Sequence, residues 1–278
     1  DFTNLNAYTL HWQVVGDHGK VIVDGTRQVD AAPHATVEVA LGAVRLPSDV
    51  REAYLNLSWT SVDAAPFINT DYEVAYDQFV LSGNKNYRAP ETKLSGKVEM
   101  NIDPETGALR SYIYNGKELL VSPVTLSLYR PVTDNDNREK VGGAKAWKKA
   151  GLDQLTQRAL SVKTATHGGR AEVELLNVRG EKVGTASFIY TLKKNGELDI
   201  QTHFVPDTTA VTSLARVGLT FEMPDAYNQV SYLGRGEHET YMDRKQSGKI
   251  GIYHTDAEAM FHYYVRPQAT GNRTDVRW

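Results

Sequence analysis

The sequence predicts an all-β chain organised as two antiparallel sandwiches. Three observations carry that expectation: apolar and polar residues alternate with period two in segment after segment, Gly-, Asn- and Pro-containing turns separate those segments, and only one stretch has helical spacing. At 278 residues the chain has room for two ordinary domains whose cores need neither a metal nor a disulfide.

In the first module, Val21-Ile22-Val23, Thr36 to Leu41 and Glu52 to Ser61 read as short strands, punctuated by Gly16-Asp17, Asp24-Gly25 and Leu46-Pro47-Ser48. Leu55, Leu57 and Trp59 alternate with Asn56, Ser58 and Thr60, so the third of these segments has one apolar face. The pattern predicts an immunoglobulin-like β-sandwich of roughly seven strands over residues 1–82, with Trp12 and Trp59 in its core. From Ser82 to Pro90 the chain turns polar, aperiodic and rich in turn formers, which places a linker at 83–92.

Residues 93–278 return to strands and turns and are long enough for a second, larger sandwich. Val98, Met100 and Ile102 alternate with Glu99 and Asn101, and Asp103-Pro104-Glu105-Thr106-Gly107 follows as a turn. Asn115-Gly116 marks one hairpin. The clearest one joins Phe188, Tyr190 and Leu192 to Leu198, Ile200 and Phe204 across Asn195-Gly196, a dipeptide suited to the two positive φ angles of a type I′ turn. The single helix falls within Ala144 to Leu155, where Lys145, Lys148 and Lys149 oppose Trp147 and Leu152, and Gly151 limits its length.

Composition narrows the function. With 31 basic and 34 acidic residues and no Lys/Arg block, the chain has no electrostatic footprint for nucleic acid, and a neutral, hydroxyl-rich ligand suits it better. No apolar run approaches the roughly 18 residues of a membrane span. The absence of cysteine excludes disulfides, thiolate metal sites and a Cys nucleophile, and leaves the compartment open. A start directly in strand-like sequence and an end on Trp278 are what a segment cut from a longer chain is expected to show.

The densest polar run is Arg130-Pro131-Val132-Thr133-Asp134-Asn135-Asp136-Asn137, immediately after the strand-like Val124 to Tyr129. Asp134 and Asp136 meet the first two ligand positions of an EF-hand loop. Arg138, Glu139 and Lys145 then stand where an oxygen ligand, the turn glycine and the closing Glu belong, so no calcium site is expected. Asx turns at the two Asp residues, with Arg130 paired to one of them, account for the run structurally. The eight histidines lack ligand spacing, Gly236-Glu237-His238-Glu239 reads as an exposed turn, and no metal is expected. The glycosylation patterns at Asn56 and Asn272 are short enough to be incidental. Tyr253, Phe261, Tyr263 and Tyr264 have faces suited to the C–H patches of a sugar, or to core packing.

Ordered motifs add a family. Phe2-Thr3-Asn4-Leu5 with Leu10-His11-Trp12 opens the first module, and Glu73-Val74-Ala75-Tyr76-Asp77-Gln78-Phe79 resembles G-H-E-V-A-W-x-Q-F. Arg130 to Asp136 resembles R-A-P-x-D-N-D and is followed by Trp147-Lys148-Lys149-Ala150-Gly151. Tyr232 to Arg244 resembles L-G-x-G-P-x-E-x-Y-x-D-R; Tyr264 to Gln268 and Gly271 to Trp278 resemble Y-x-x-P-Q-E-N-G-N-R-T-D-V-R-W. Together these resemble the C-terminal small-chain region of bacterial family 2 β-galactosidases.

The resemblance implies an immunoglobulin-like module followed by most of a galactose mutarotase-like supersandwich, truncated before the family's sugar-stacking Trp. It implies a parent enzyme that hydrolyses terminal β-D-galactosides with retention. In such enzymes the two carboxylates stand about 5 to 5.5 Å apart, on a barrel of about 250 residues that strands without intervening helices cannot build. No catalytic residue is therefore expected here, and the divalent cation, Mg, belongs to the missing barrel. Asn137, Arg138, Glu139 and Lys140 are implied as a loop reaching the galactose pocket. Arg130, Asp134, Asn135, Asp136 and Trp147 are implied as its support, and Gly236, Glu239, Tyr241, Asp243 and Arg244 as structural motif residues. Arg138 departs from the family's Gly, Asp71-Tyr72 from Gly-His, Glu237 from Pro and Ala269-Thr270 from Glu-Asn. The implied partners are the catalytic barrel of the parent, its galactoside ligand and a homo-oligomer, with no nucleic acid or membrane, in the bacterial cytoplasm or periplasm. The alternatives are a free-standing carbohydrate-binding module and a purely structural sandwich.

Overall fold

The computed structural model describes residues 2–83, 96–138 and 143–278, and its regular structure is nearly all strand. Two compact units divide the chain, and neither is continuous in sequence. The first joins the N-terminal module to Gln229–Asp256 and Gly271–Trp278. The second runs from the domain junction to Asn228 and resumes at Ala257–Thr270. Beyond Gly83, the predicted linker lies outside the described residues. No described helix is long and apolar enough to cross a membrane.

In the first unit, β1 (Tyr8–Gly16), β2 (Val21–Gln28), β3 (Ala53–Ser61) and β4 (Glu73–Ser82) form an antiparallel sheet in the order β2-β1-β3-β4. Leu10, Trp12 and Val14 alternate to one face of β1 and are buried. They are covered by the chain between Val29 and Val50, which contributes Val29, Ala31, Val39, Leu41, Leu46 and Val50. Trp12 is core and Trp59 packs half-buried beside Leu10, as the pattern predicts. The expectation of roughly seven strands is corrected: the described residues of this module form four, and Thr36 to Leu41 is not a strand. His34 at φ 64° and Gly42 at φ 97° bracket that segment, so its alternation plugs the sheet face without entering a ladder.

The second unit contains β5 (Val98–Ile102), β6 (Leu109–Tyr114), β7 (Lys117–Glu118), β8 (Ser122–Ser127), α1 (Gly143–Ala150), β9 (Thr156–Ala165), β10 (Gly168–Leu176), β11 (Lys182–Leu192), β12 (Leu198–Pro206) and β13 (Gly218–Glu222). One sheet runs β12-β11-β10-β9 and the other β13-β8-β6-β5, with β7 paired to β6. Their inner faces share one core, in which Val173, Phe188 and Tyr190 of the first sheet join Ile102, Leu109 and Val124 of the second. Tyr190 adds a polar link from its phenol to the Gly107 carbonyl at 2.9 Å, and burial pushes its ionisation well above the ordinary tyrosine value.

The turns are mostly those the sequence announces. Asp103 accepts from the amides of Glu105 and Thr106, both at 2.9 Å, as an Asx turn, and Gly107 follows at φ 71°. Asn115 and Gly116 both have positive φ, 49° and 78°, and form the type I′ turn between β6 and β7. At Asn195-Gly196 the hairpin is present but the turn type is corrected: only Gly196 is left-handed, at φ 86°. Gly196 N bonds the Lys193 carbonyl and Lys193 N the Glu197 carbonyl, so the glycine serves as a bulge after a type I turn.

Helix α1 ends where its glycine requires. Gly151, at φ 71°, donates to the Lys148 carbonyl and Leu152 to the Trp147 carbonyl, both at 3.0 Å, and Leu152 is buried. That is a Schellman cap, and it stops the helix at the glycine expected to limit it within the Ala144 to Leu155 stretch.

The final hairpin, β14 (Gln229–Gly236) and β15 (Lys249–Asp256), belongs to the first unit. Tyr54 of β3 packs with Leu233, Ile250 and Trp278. The Gln78 side chain behaves as an extra peptide group: Oε1 accepts from Ile250 N at 2.8 Å and Nε2 donates to its carbonyl at 2.9 Å and to Asn56 Oδ1 at 2.8 Å. The C-terminal segment runs beside β14, with Leu233 N bonded to the Trp278 carbonyl at 2.9 Å and Arg277 N to the Leu233 carbonyl at 2.7 Å.

Gly107 tests the sandwich core most directly. A Cβ there would lie 2.8 Å from side-chain atoms of both Ala171 and Val173, at a φ that side chains rarely adopt. Gly107→Ala is expected to lower the urea unfolding free energy by about 2–4 kcal/mol, combining left-handed strain with overpacking.

Candidate functional site

The polar run after β8 is a turn organised around one carboxylate. Arg130 meets Asp136 in a two-pronged pair, Nη1 to Oδ2 at 2.6 Å and Nη2 to Oδ1 at 3.0 Å. Oδ2 also accepts from Thr133 N at 2.6 Å and Thr133 Oγ1 at 2.9 Å. Burial by itself would raise the Asp136 carboxyl. The Arg130 hydrogen bonds, the two Thr133 donors and the Arg130 charge outweigh it, and the group is held below the ordinary carboxylate value. The Arg130 guanidinium also lies 5.5 Å from the centre of the Trp147 ring, and buried Trp147 is fixed by its indole N–H to Ser213 Oγ at 3.1 Å.

This arrangement brings together Arg130, Asp136 and Trp147 from the sequence-derived set. Asp134 and Asn135 occupy the same turn, with the Asn135 carbonyl accepting from Arg138 N at 3.0 Å. Asn137 and Arg138 are exposed on it. Glu139 and Lys140 lie outside the described residues. Sequence reasoning missed Thr133, whose hydroxyl and amide complete the carboxylate's shell; a Thr three residues before an Asp was the available signal.

The motif after β14 converges on the C-terminal segment within the first unit. Buried Glu239 pairs with Arg244 and accepts from Gly271 N at 2.8 Å, while Arg244 lies 5.4 Å from the Tyr241 ring centre. Asp275 accepts from Arg235 Nε at 2.6 Å through Oδ2 and from Lys245 Nζ at 3.2 Å through Oδ1. Burial opposes ionisation of Asp275, but these two partners prevail and lower it. Gly236 has no room for a side chain, since a Cβ would lie 2.6 Å from the Tyr232 hydroxyl and 2.7 Å from the Tyr253 ring. Asp243 sits exposed in the turn that follows Tyr241. Asp71 has φ 62°, a backbone state that glycine adopts without strain.

The remaining candidates separate. Tyr253 packs on Tyr232 with ring centres 5.5 Å apart, and burial pushes its hydroxyl up to about 12. Phe261 and Tyr263 belong to the other unit, where they form an exposed edge-to-face pair at 4.7 Å. Glu237 and His238 are exposed as expected, whereas Glu239 is buried and ion-paired. Among the described residues no cluster of three or more His, Cys, Asp or Glu side chains is arranged for a metal ion. Asn56 Oδ1 accepts from Gln78 Nε2 at 2.8 Å, and Asn272 Nδ2 donates to the Thr240 carbonyl at 2.7 Å.

Residues 1–82 match the model of β-galactosidase domain 4, and residues 94–278 match that of the β-galactosidase small chain. The chain belongs to the β-galactosidase small-chain family. It is similar over its whole length to a β-galactosidase of Priestia megaterium, at 30% identity, and over 98% of its length to one of Actinobacillus pleuropneumoniae, at 24%. A third relative, β-galactosidase 2 of Enterobacter cloacae, is 28% identical over 99% of the chain. The chain spans only 28–29% of the length of these relatives.

Asp136 offers a pH test. Because its folded-state value is lowered, it contributes stability above the ordinary carboxylate range, and that contribution is lost as pH falls through the lowered value. Asp136→Asn is expected to cost about 2 kcal/mol at neutral pH, as a charge-assisted pair loses one partner. In urea unfolding, the gap from the unsubstituted chain should close as pH falls below about 4.

Proposed function

We propose that the chain is the accessory C-terminal region of a family 2 β-galactosidase that hydrolyses terminal, non-reducing β-D-galactosides with retention. The observation that carries this reading is the end-to-end similarity to proteins named β-galactosidase, of which the chain spans little more than a quarter. The general acid, the nucleophile and the Mg ion belong to the barrel of the parent. Residues 1–82 take the place of the immunoglobulin-like module, and residues 93–278 buttress the barrel.

The turn held by Arg130, Asp136 and Trp147 supplies the loop to the sugar pocket. Its chemistry suits that role: the ion pair fixes the base of the turn, and Asn137 and Arg138 remain exposed donors for sugar hydroxyls. Where relatives have Gly, Arg138 replaces backbone freedom with a long cationic side chain, so the loop relies on side-chain reach more than on a glycine hinge.

Mixing tests the proposal. The purified chain should leave a chromogenic β-galactoside intact and restore hydrolysis when combined with a separately expressed N-terminal barrel portion of its parent. Hydrolysis by the chain alone would overturn the accessory assignment. No hydrolysis in the mixture, combined with saturable galactoside binding by the chain, would favour a carbohydrate-binding module instead.

A further inference from the structure

Within the second unit, the turn is attached on two sides of unequal strength. Four contacts between 2.6 and 3.0 Å tie Asp136 to Arg130 and Thr133. The opposite side is tied to a segment 134 residues downstream, where Gln268 Oε1 accepts from Asp134 N at 3.3 Å. Ala269 N adds a bond to the Val132 carbonyl at 3.4 Å. These are long hydrogen bonds, so this side yields first. Pro267 fixes the chain before Gln268 and Ala269 is buried behind it, so the amide projects from a constrained backbone.

We propose that Gln268 is a positioning residue for the loop, setting where Asn137 and Arg138 stand relative to the bound galactoside. The route is short: Gln268 holds Asp134, and the adjacent Asn135 carbonyl accepts from Arg138 N at 3.0 Å. Release of the first bond loosens the turn end that carries Arg138, while the Asp136 side stays fast. The part played with sugar rests on the function proposed above; the tether itself does not.

Two variants separate the acceptor from the bulk of the side chain. Gln268→Met keeps the length and removes the oxygen, whereas Gln268→Glu keeps an oxygen at the same reach. By hydrogen exchange on the chain itself, Gln268→Met should speed the Asp134 and Arg138 amides about fivefold, the worth of one net hydrogen bond, with Gln268→Glu close to the unsubstituted protein. In the complete parent enzyme, Gln268→Met should raise the galactoside KM severalfold with kcat changed less, and Gln268→Glu should restore it. Unchanged exchange in Gln268→Met would remove the tether. Faster exchange with unchanged KM would reduce Gln268 to a structural role and overturn the positioning. A parent without galactosidase activity would sink the functional reading and the positioning with it, while exchange would still decide the tether.

Discussion

The first unit depends on a carboxylate taken out of water. Glu52, immediately before β3, is 3% exposed and is paired with Arg277, whose Nε lies 3.1 Å from Oε2. The Tyr54 hydroxyl donates to the same carboxylate and receives a hydrogen bond from Arg277 Nη2 at 3.2 Å. Burial, then the bond to Glu52, raise the Tyr54 ionisation far above its usual range, so the phenol stays a donor. A buried ion pair adds little net stability over apolar packing, but removing one partner strands a charge, so the pair acts chiefly to specify an arrangement. Here the arrangement joins β3 to a segment 225 residues away.

Around that pair the scattered motifs gain a common purpose. Gln78, Glu239, Arg244, Asp275 and Arg277 all make contacts inside the first unit, although four of the five come from the stretch that matches the small chain. They fasten the β14–β15 hairpin and the C-terminal segment beside the N-terminal sheet. A family boundary at the end of residue 82 is thus a boundary of sequence, while compactness follows side-chain chemistry across it.

Much of this was legible in the residues. Period-two alternation located β3, β5 and β11, since a half-buried strand needs it, and the Arg130–Asp136 pair was foreseeable from charge and spacing. The failures are physical. Thr36 to Leu41 alternates like a strand, but ladder membership depends on a partner edge that lies elsewhere in the chain. Gln268, Gln78 and Arg277 act through partners more than a hundred residues distant, a separation that local pattern does not encode. Tyr253 and the aromatics from Phe261 to Tyr264 fall in different compact units, a division that sequence order does not display.

The decisive measurement is hydrogen exchange on Arg277→Met, with Glu52→Gln/Arg277→Met alongside. If the buried pair specifies the first unit, Arg277→Met will lose protection in β3 and β14 together while β10 and β11 keep theirs. The double variant, which no longer buries a charge, will then recover part of the loss. Protection lost only at the last few residues, with β3 and β14 unchanged, would contradict the account.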